Sequence, residues 1–100
     1  LLILHVAAHF HCTAEQQIHE PIARKAGLPD AVIADIRAQR LPALTDERQL
    51  ILADYARELL RANRVGDALH ERAVLLLGEP ALVEAVGIVG YYAMVAYTLN

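Results

Sequence analysis

Apolar residues in this chain fall at helical spacing, and no run of about four to eight residues alternates apolar with polar as a half-buried strand would. Leu1 to Phe10 is apolar on most sides and begins without a capping residue, so it reads as the remainder of a buried helix cut at its start. Thr13 with Gln16 three residues on matches a capping box, and Gly27 stands where a left-handed C-terminal residue belongs. A second helix is predicted between them, near residues 14–26. Pro21 falls inside it, removes the hydrogen bond to the Gln17 carbonyl, and predicts a kink close to His19.

Pro29-Asp30 opens a short third helix with Val32, Ile33 and Ile36 on one face, and Leu41-Pro42-Ala43 breaks it. Thr45 is expected to cap a longer helix that carries Leu50, Ile51, Leu59 and Leu60 as its apolar stripe and ends at Asn63. Asp67 is expected to cap a fifth helix that Gly78 terminates, and Pro80 starts the sixth. The pattern predicts an all-α fold of six helices in one domain over residues 1–100.

Composition adds a constraint. Hydrophobic residues make up 56% of the 100 positions, and the mean hydropathy is positive. A chain this short hides only about 65% of its unfolded surface, so part of the apolar surplus is expected to meet a second copy. The net charge of -3, with nine basic and twelve acidic residues intermixed, leaves no basic stripe for a phosphate backbone, which excludes nucleic acid as the expected partner. The single cysteine and the lack of a secretory-type leader point to the cytoplasm. Ala81 to Leu99 has one charge, Glu84, and nearly the length of a membrane span. Its Glu79-Pro80 start, its lack of Lys or Arg anchors, and Gly87 and Gly90 suit a helix packed closely on another helix instead.

The chemistry concentrates in the second helix. With Cys12 at zero and roughly 100° per residue, Glu15 falls at about 300°, His19 at about 340°, Ile18 at about 240° and Ile22 at about 280°. Ala23 and Ala26 share that side, while Gln16, Gln17, Glu20 and Arg24 take the polar face. Glu15 and His19 are therefore expected to point inward. An inward carboxylate one turn from an imidazole either pairs with it or faces a cavity, and both environments shift proton affinities toward catalytic values. A buried ion pair that only supports the helix is the alternative at this spacing. Cys12, just ahead of the helix and near a histidine, is either a small buried hydrophobe or an activated thiolate.

The run His11-Cys12-Thr13-Ala14-Glu15-Gln16-Gln17-Ile18-His19-Glu20-Pro21-Ile22-Ala23, followed by Ala26-Gly27-Leu28, resembles the signature of the carboxymuconolactone decarboxylase family, within the alkyl hydroperoxidase D-like superfamily. Leu1 to Ala8, Leu44 to Leu60, and Gly90-Tyr91-Tyr92 through Leu99-Asn100 resemble its other segments, so the likeness covers essentially the whole chain. It implies a self-associating helical bundle whose catalytic residues are Cys12, Glu15 and His19. The implied activity is decarboxylation of a small carboxylated lactone or related ring acid, without metal or cofactor. The alkyl hydroperoxidase D branch implies a thiol peroxidase instead, but Glu15 stands where its second cysteine would, so no resolving thiol is present. The family also carries a glutamate at a position just ahead of Leu1. A non-catalytic oligomeric binding protein is the third expectation.

Elsewhere, His5 and His9 share a helical face, a conceivable but thin metal pair. His70 reads as a solvated helix residue, and Tyr91 and Tyr92 as core or interface aromatics within reach of the site.

Overall fold

The computed structural model describes residues 1–100 and contains six helices and no strand: α1 (Leu2–His9), α2 (Thr13–Lys25), α3 (Asp30–Arg37), α4 (Glu47–Ala62), α5 (Asp67–Leu77) and α6 (Glu79–Leu99). The all-α expectation is met.

Most helix ends are set by local backbone chemistry. At the end of α2, Leu28 N–H bonds the Ala23 carbonyl (3.0 Å) and Gly27 N–H bonds the Arg24 carbonyl (3.1 Å), with Gly27 at φ 103°. That double bond pattern is a Schellman motif, and buried Leu28 packs toward Ala23 as the motif requires. The same pattern closes α1, where Cys12 N–H reaches the Ala7 carbonyl (2.8 Å) and His11 takes the left-handed position at φ 52°. It closes α3 as well, with Gln39 left-handed at φ 58°. The Gln39 side chain then donates to the Ala8 carbonyl (3.0 Å), and the Asn100 side chain to the Phe10 carbonyl (2.8 Å), so the last carbonyls of α1 are bonded from two other parts of the chain.

Three expected caps shift by one residue. The turn after α1 leaves Cys12 extended at ψ 91°, so Cys12 is the N-cap of α2, Thr13 is already helical, and no capping box forms. Asp46, not Thr45, caps α4, its carboxylate accepting from Gln49 N–H at 3.0 Å. Gly66 precedes α5, its N–H held by the Glu58 carboxylate at 3.1 Å, and Asp67 is the first helical residue. Helix α2 runs without interruption through Pro21.

Helix α1 is the centre of the bundle and packs against α2, α3, α4 and α6, which explains why it is apolar nearly all round. Its Leu4 and Ala8 meet Leu28, Val32, Ile33 and Ile36 on one side. On the other, Val6 meets Ala56 of α4 and Val89 of α6. A separate cluster of Tyr55, Leu69, Ala73 and Leu82 joins α4, α5 and α6. Burial of each large side chain contributes about 1.5–3 kcal/mol, and truncating Ile33, which is 1% exposed, to alanine costs about 2–5 kcal/mol. The expected stripe of α4 is corrected: Ala53, Tyr55 and Ala56 form its buried line, Ile51, Leu59 and Leu60 flank it, and Leu50 is exposed. Small residues at 53 and 56 let α1 approach closely.

Helices α2 and α3 are stapled by charge. Arg37 grips Glu20 with two bonds (Nε to Oε2 2.8 Å, Nη2 to Oε1 2.5 Å), and Arg24 pairs with Asp30. The radius of gyration, 12.8 Å, is that of one folded unit of this length.

Helix α6 is long and apolar enough to cross a membrane by length and composition, but one side of it, Leu82, Ala85, Val89 and Ala96, is buried in the bundle. Gly87 and Gly90 pack against no other helix of the same chain. Both are exposed, and a Cβ at either would meet nothing within 4 Å, so they allow no close approach inside the chain. They lie on an outer face with Val83, Val86, Tyr91, Met94 and Tyr97, all exposed.

Candidate active site

The turn between α1 and α2 places the signature residues. Because Cys12 is both the last residue of the Schellman turn and the N-cap of α2, its side chain is held at the junction and is 1% exposed. Glu15 lies one turn into α2, also 1% exposed, as its phase predicted.

Both Glu15 carboxylate oxygens are buried and have no hydrogen-bond partner. Burial pushes the carboxyl above the usual carboxylate range. The positive end of α2 favours the ionised form of an acid in its first turn, but that effect is worth less than the lost hydration, and no cation stands nearby to offset it. His19 is half-buried and makes no ion pair with Glu15 within 4.0 Å. Its ring instead meets Tyr92 of α6 edge-on, centroids 5.4 Å apart, and Tyr92 meets Tyr91 the same way at 5.1 Å. The closed ion pair that was the alternative for Glu15 and His19 is therefore not formed.

The inward side of α2 is narrower than its periodicity predicts. Ile18 and Ile22, placed there by phase, are 57% and 58% exposed, and Ala26 is exposed too. No helix covers that flank, so phase alone assigned it wrongly. Cys12, Glu15 and His19 line neither the cleft beside His5 nor the one beside Tyr55 and His70.

Comparison with protein-family models, curated proteins and solved structures finds no match to this chain. A buried carboxyl whose proton affinity is raised can serve as a general acid to a substrate that reaches it, and an imidazole can donate to or accept from a carbonyl or hydroxyl. No cluster of three or more His, Cys, Asp or Glu side chains forms that would hold a metal ion.

Two features escaped the sequence. Tyr55 hydroxyl and His70 Nδ1 lie 2.9 Å apart, so His70, although exposed, is tied to α4 rather than freely solvated. His5 is 5% exposed with Nε2 buried and unpartnered, and it lines a cleft together with residues of α4 and α5. The only local signal for that cleft was the i,i+4 spacing of His5 with His9 and of Arg57 with Arg61.

Proposed function

We propose that this chain is a decarboxylase-like enzyme of the carboxymuconolactone decarboxylase type, acting on a small carboxylated lactone or related ring acid. The observation that carries the reading is Glu15, a carboxyl sealed in the fold with neither a partner nor a counter-charge. Such a group destabilises the protein, and retaining it makes sense where its proton is used.

In the proposed step the substrate's C–C bond to its carboxylate breaks and carbon dioxide leaves. The electron pair moves into the conjugated lactone carbonyl, which an N–H of His19 polarises, and the carboxyl proton of Glu15 is delivered to carbon. Solvent reprotonates Glu15 for the next turnover. Cys12 contributes wall rather than chemistry. A thiol peroxidase reading is less well supported, because Cys12 is buried and is the only thiol, so no intrachain disulfide can form.

The proposal includes self-association in a soluble, cytoplasmic protein. Its support is the exposed apolar surface on α2 and α6: Ile18, Ile22, Val83, Tyr91, Met94 and Tyr97 are 57% to 73% exposed. The ring contacts from His19 through Tyr92 to Tyr91 connect the two sets.

The test is release of carbon dioxide from a carboxymuconolactone by the wild type and three variants. Glu15→Gln and His19→Asn are expected to lose turnover by 10²-fold or more, roughly what removal of a general acid costs, while Cys12→Ser keeps it. Loss in Cys12→Ser with retention in Glu15→Gln would overturn the reading.

A further inference from the structure

A cleft of ≈ 500 Å³, lined by none of Cys12, Glu15 and His19, opens among α1, α3, α4 and α5. That volume lies in the range of small-molecule sites. Its lining includes His5 of α1, Asp54, Arg57, Glu58 and Arg61 of α4, and Arg72 of α5.

Three guanidiniums face two carboxylates there, an excess of one positive charge (3 − 2 = 1). None of the three arginines forms an ion pair within 4.0 Å, since the ion pairs of the molecule are Arg24 with Asp30, Arg37 with Glu20, and Arg40 with Asp35. Glu58 is partly committed elsewhere, one of its oxygens accepting from Gly66 N–H. Arg57 is anchored by its bond to the Arg40 carbonyl at 3.2 Å, which orients its remaining donors at low entropic cost.

The His5 ring has a defined polarity. His5 Nδ1 lies 2.9 Å from the Leu1 carbonyl, and a carbonyl only accepts, so Nδ1 carries the hydrogen. The other nitrogen, Nε2, then presents a lone pair. It is buried and has no partner. Burial also lowers the proton affinity of His5, which keeps that lone pair free near neutral pH. The lining thus combines three unpaired arginines with a histidine whose Nε2 lies just under the surface, so a ligand that donates to it must shift the ring slightly, and an unmatched buried acceptor of this kind is costly unless something donates to it.

We infer that this cleft binds a small hydroxy acid, its carboxylate or phosphate held by Arg57, Arg61 and Arg72 and its hydroxyl donating to His5 Nε2. Arginine suits either anion through paired N–H donors, and the hydroxyl is the complement that a simple anion lacks. The site is independent of the chemistry assigned to Glu15 and stands or falls without it.

Titration calorimetry of the intact protein at pH 8 and constant ionic strength tests this with four probes: malate, succinate, glycerol 3-phosphate and propyl phosphate. Malate or glycerol 3-phosphate is expected to bind at least about tenfold more tightly than its partner without the hydroxyl, as loss of one hydrogen bond to a buried group implies. Which of the two binds decides between carboxylate and phosphate. Arg61→Gln and Arg72→Gln, both at exposed positions that leave the core intact, should each weaken binding several-fold. The His5 ring nitrogen signal at Nε2 should move on saturation in the spectrum of labelled wild type. Equal binding of malate and succinate, no binding by any probe at millimolar concentration, or affinity indifferent to both arginine variants would overturn the proposal and leave His5 Nε2 to an ordered water.

Discussion

Replacing Glu15 by methionine should make the protein more stable and inactive. The two side chains are close in volume, so the substitution leaves little cavity and little strain. What it removes is a carboxyl that is 1% exposed with both oxygens unpartnered. An unsatisfied buried polar group costs about 1–3 kcal/mol, so the variant should gain about that much. For a domain of this length each kcal/mol raises Tm by roughly 4–8 °C. The gain should also depend on pH. The folded state holds the Glu15 proton more tightly than the unfolded chain does, because burial raises the carboxyl above its ordinary value of 4.5. The wild type therefore loses stability as pH rises from that ordinary value through the raised one, and the methionine variant has no such loss. The difference in Tm between the two should be smallest below pH 4.5 and reach its plateau above the folded-state value. Thermal unfolding followed by circular dichroism across that range measures it. A methionine variant that melts lower than wild type at neutral pH would refute the reasoning, because it would mean that the carboxyl has a partner, in a second copy or elsewhere, on which the fold depends.

Sedimentation at micromolar concentration should show an assembly, and Met94→Glu on the outer face of α6 should reduce it to single chains; a wild-type species of 11.0 kDa alone would rule association out. His11→Gly should stabilise by about 1 kcal/mol, since an exposed non-glycine residue there holds φ 52°; an unchanged or lower denaturation midpoint would contradict the strain argument. Arg37→Ala should destabilise by less than about 1 kcal/mol at neutral pH, because Arg37 is half exposed. Its two bonds hold Glu20 below the usual carboxylate range, so this contribution is present above the ordinary 4.5 and disappears as pH falls through the depressed value; a variant equally destabilised at both ends of that window would count against it.

Helix number and order were legible in the sequence because helix ends are local events. Gly27 and Gly78 accept positive φ, Pro29 and Pro80 stand at helix starts, and Asp46 and Asn63 mark the two ends of α4, each signal acting within one turn of chain. The three cap positions that moved did so by one residue, since the turn preceding each helix chooses among neighbouring cappers. The inward direction of Glu15 was legible for a related reason: periodicity fixes where a side chain points relative to its own helix. What covers that side is another matter. Ile18 and Ile22 share the phase of Glu15 and remain exposed, and Gly87 and Gly90 face outward rather than into a neighbour, because only the placement of the other helices decides which flanks are filled. The absence of an ion pair between Glu15 and His19, the contact of His19 with Tyr92, and the meeting of His5 with Arg57, Arg61 and Arg72 belong to the same class. Each joins residues, or leaves them apart, by distances that depend on how α1, α4, α5 and α6 pack, and no local pattern in the chain carries that information.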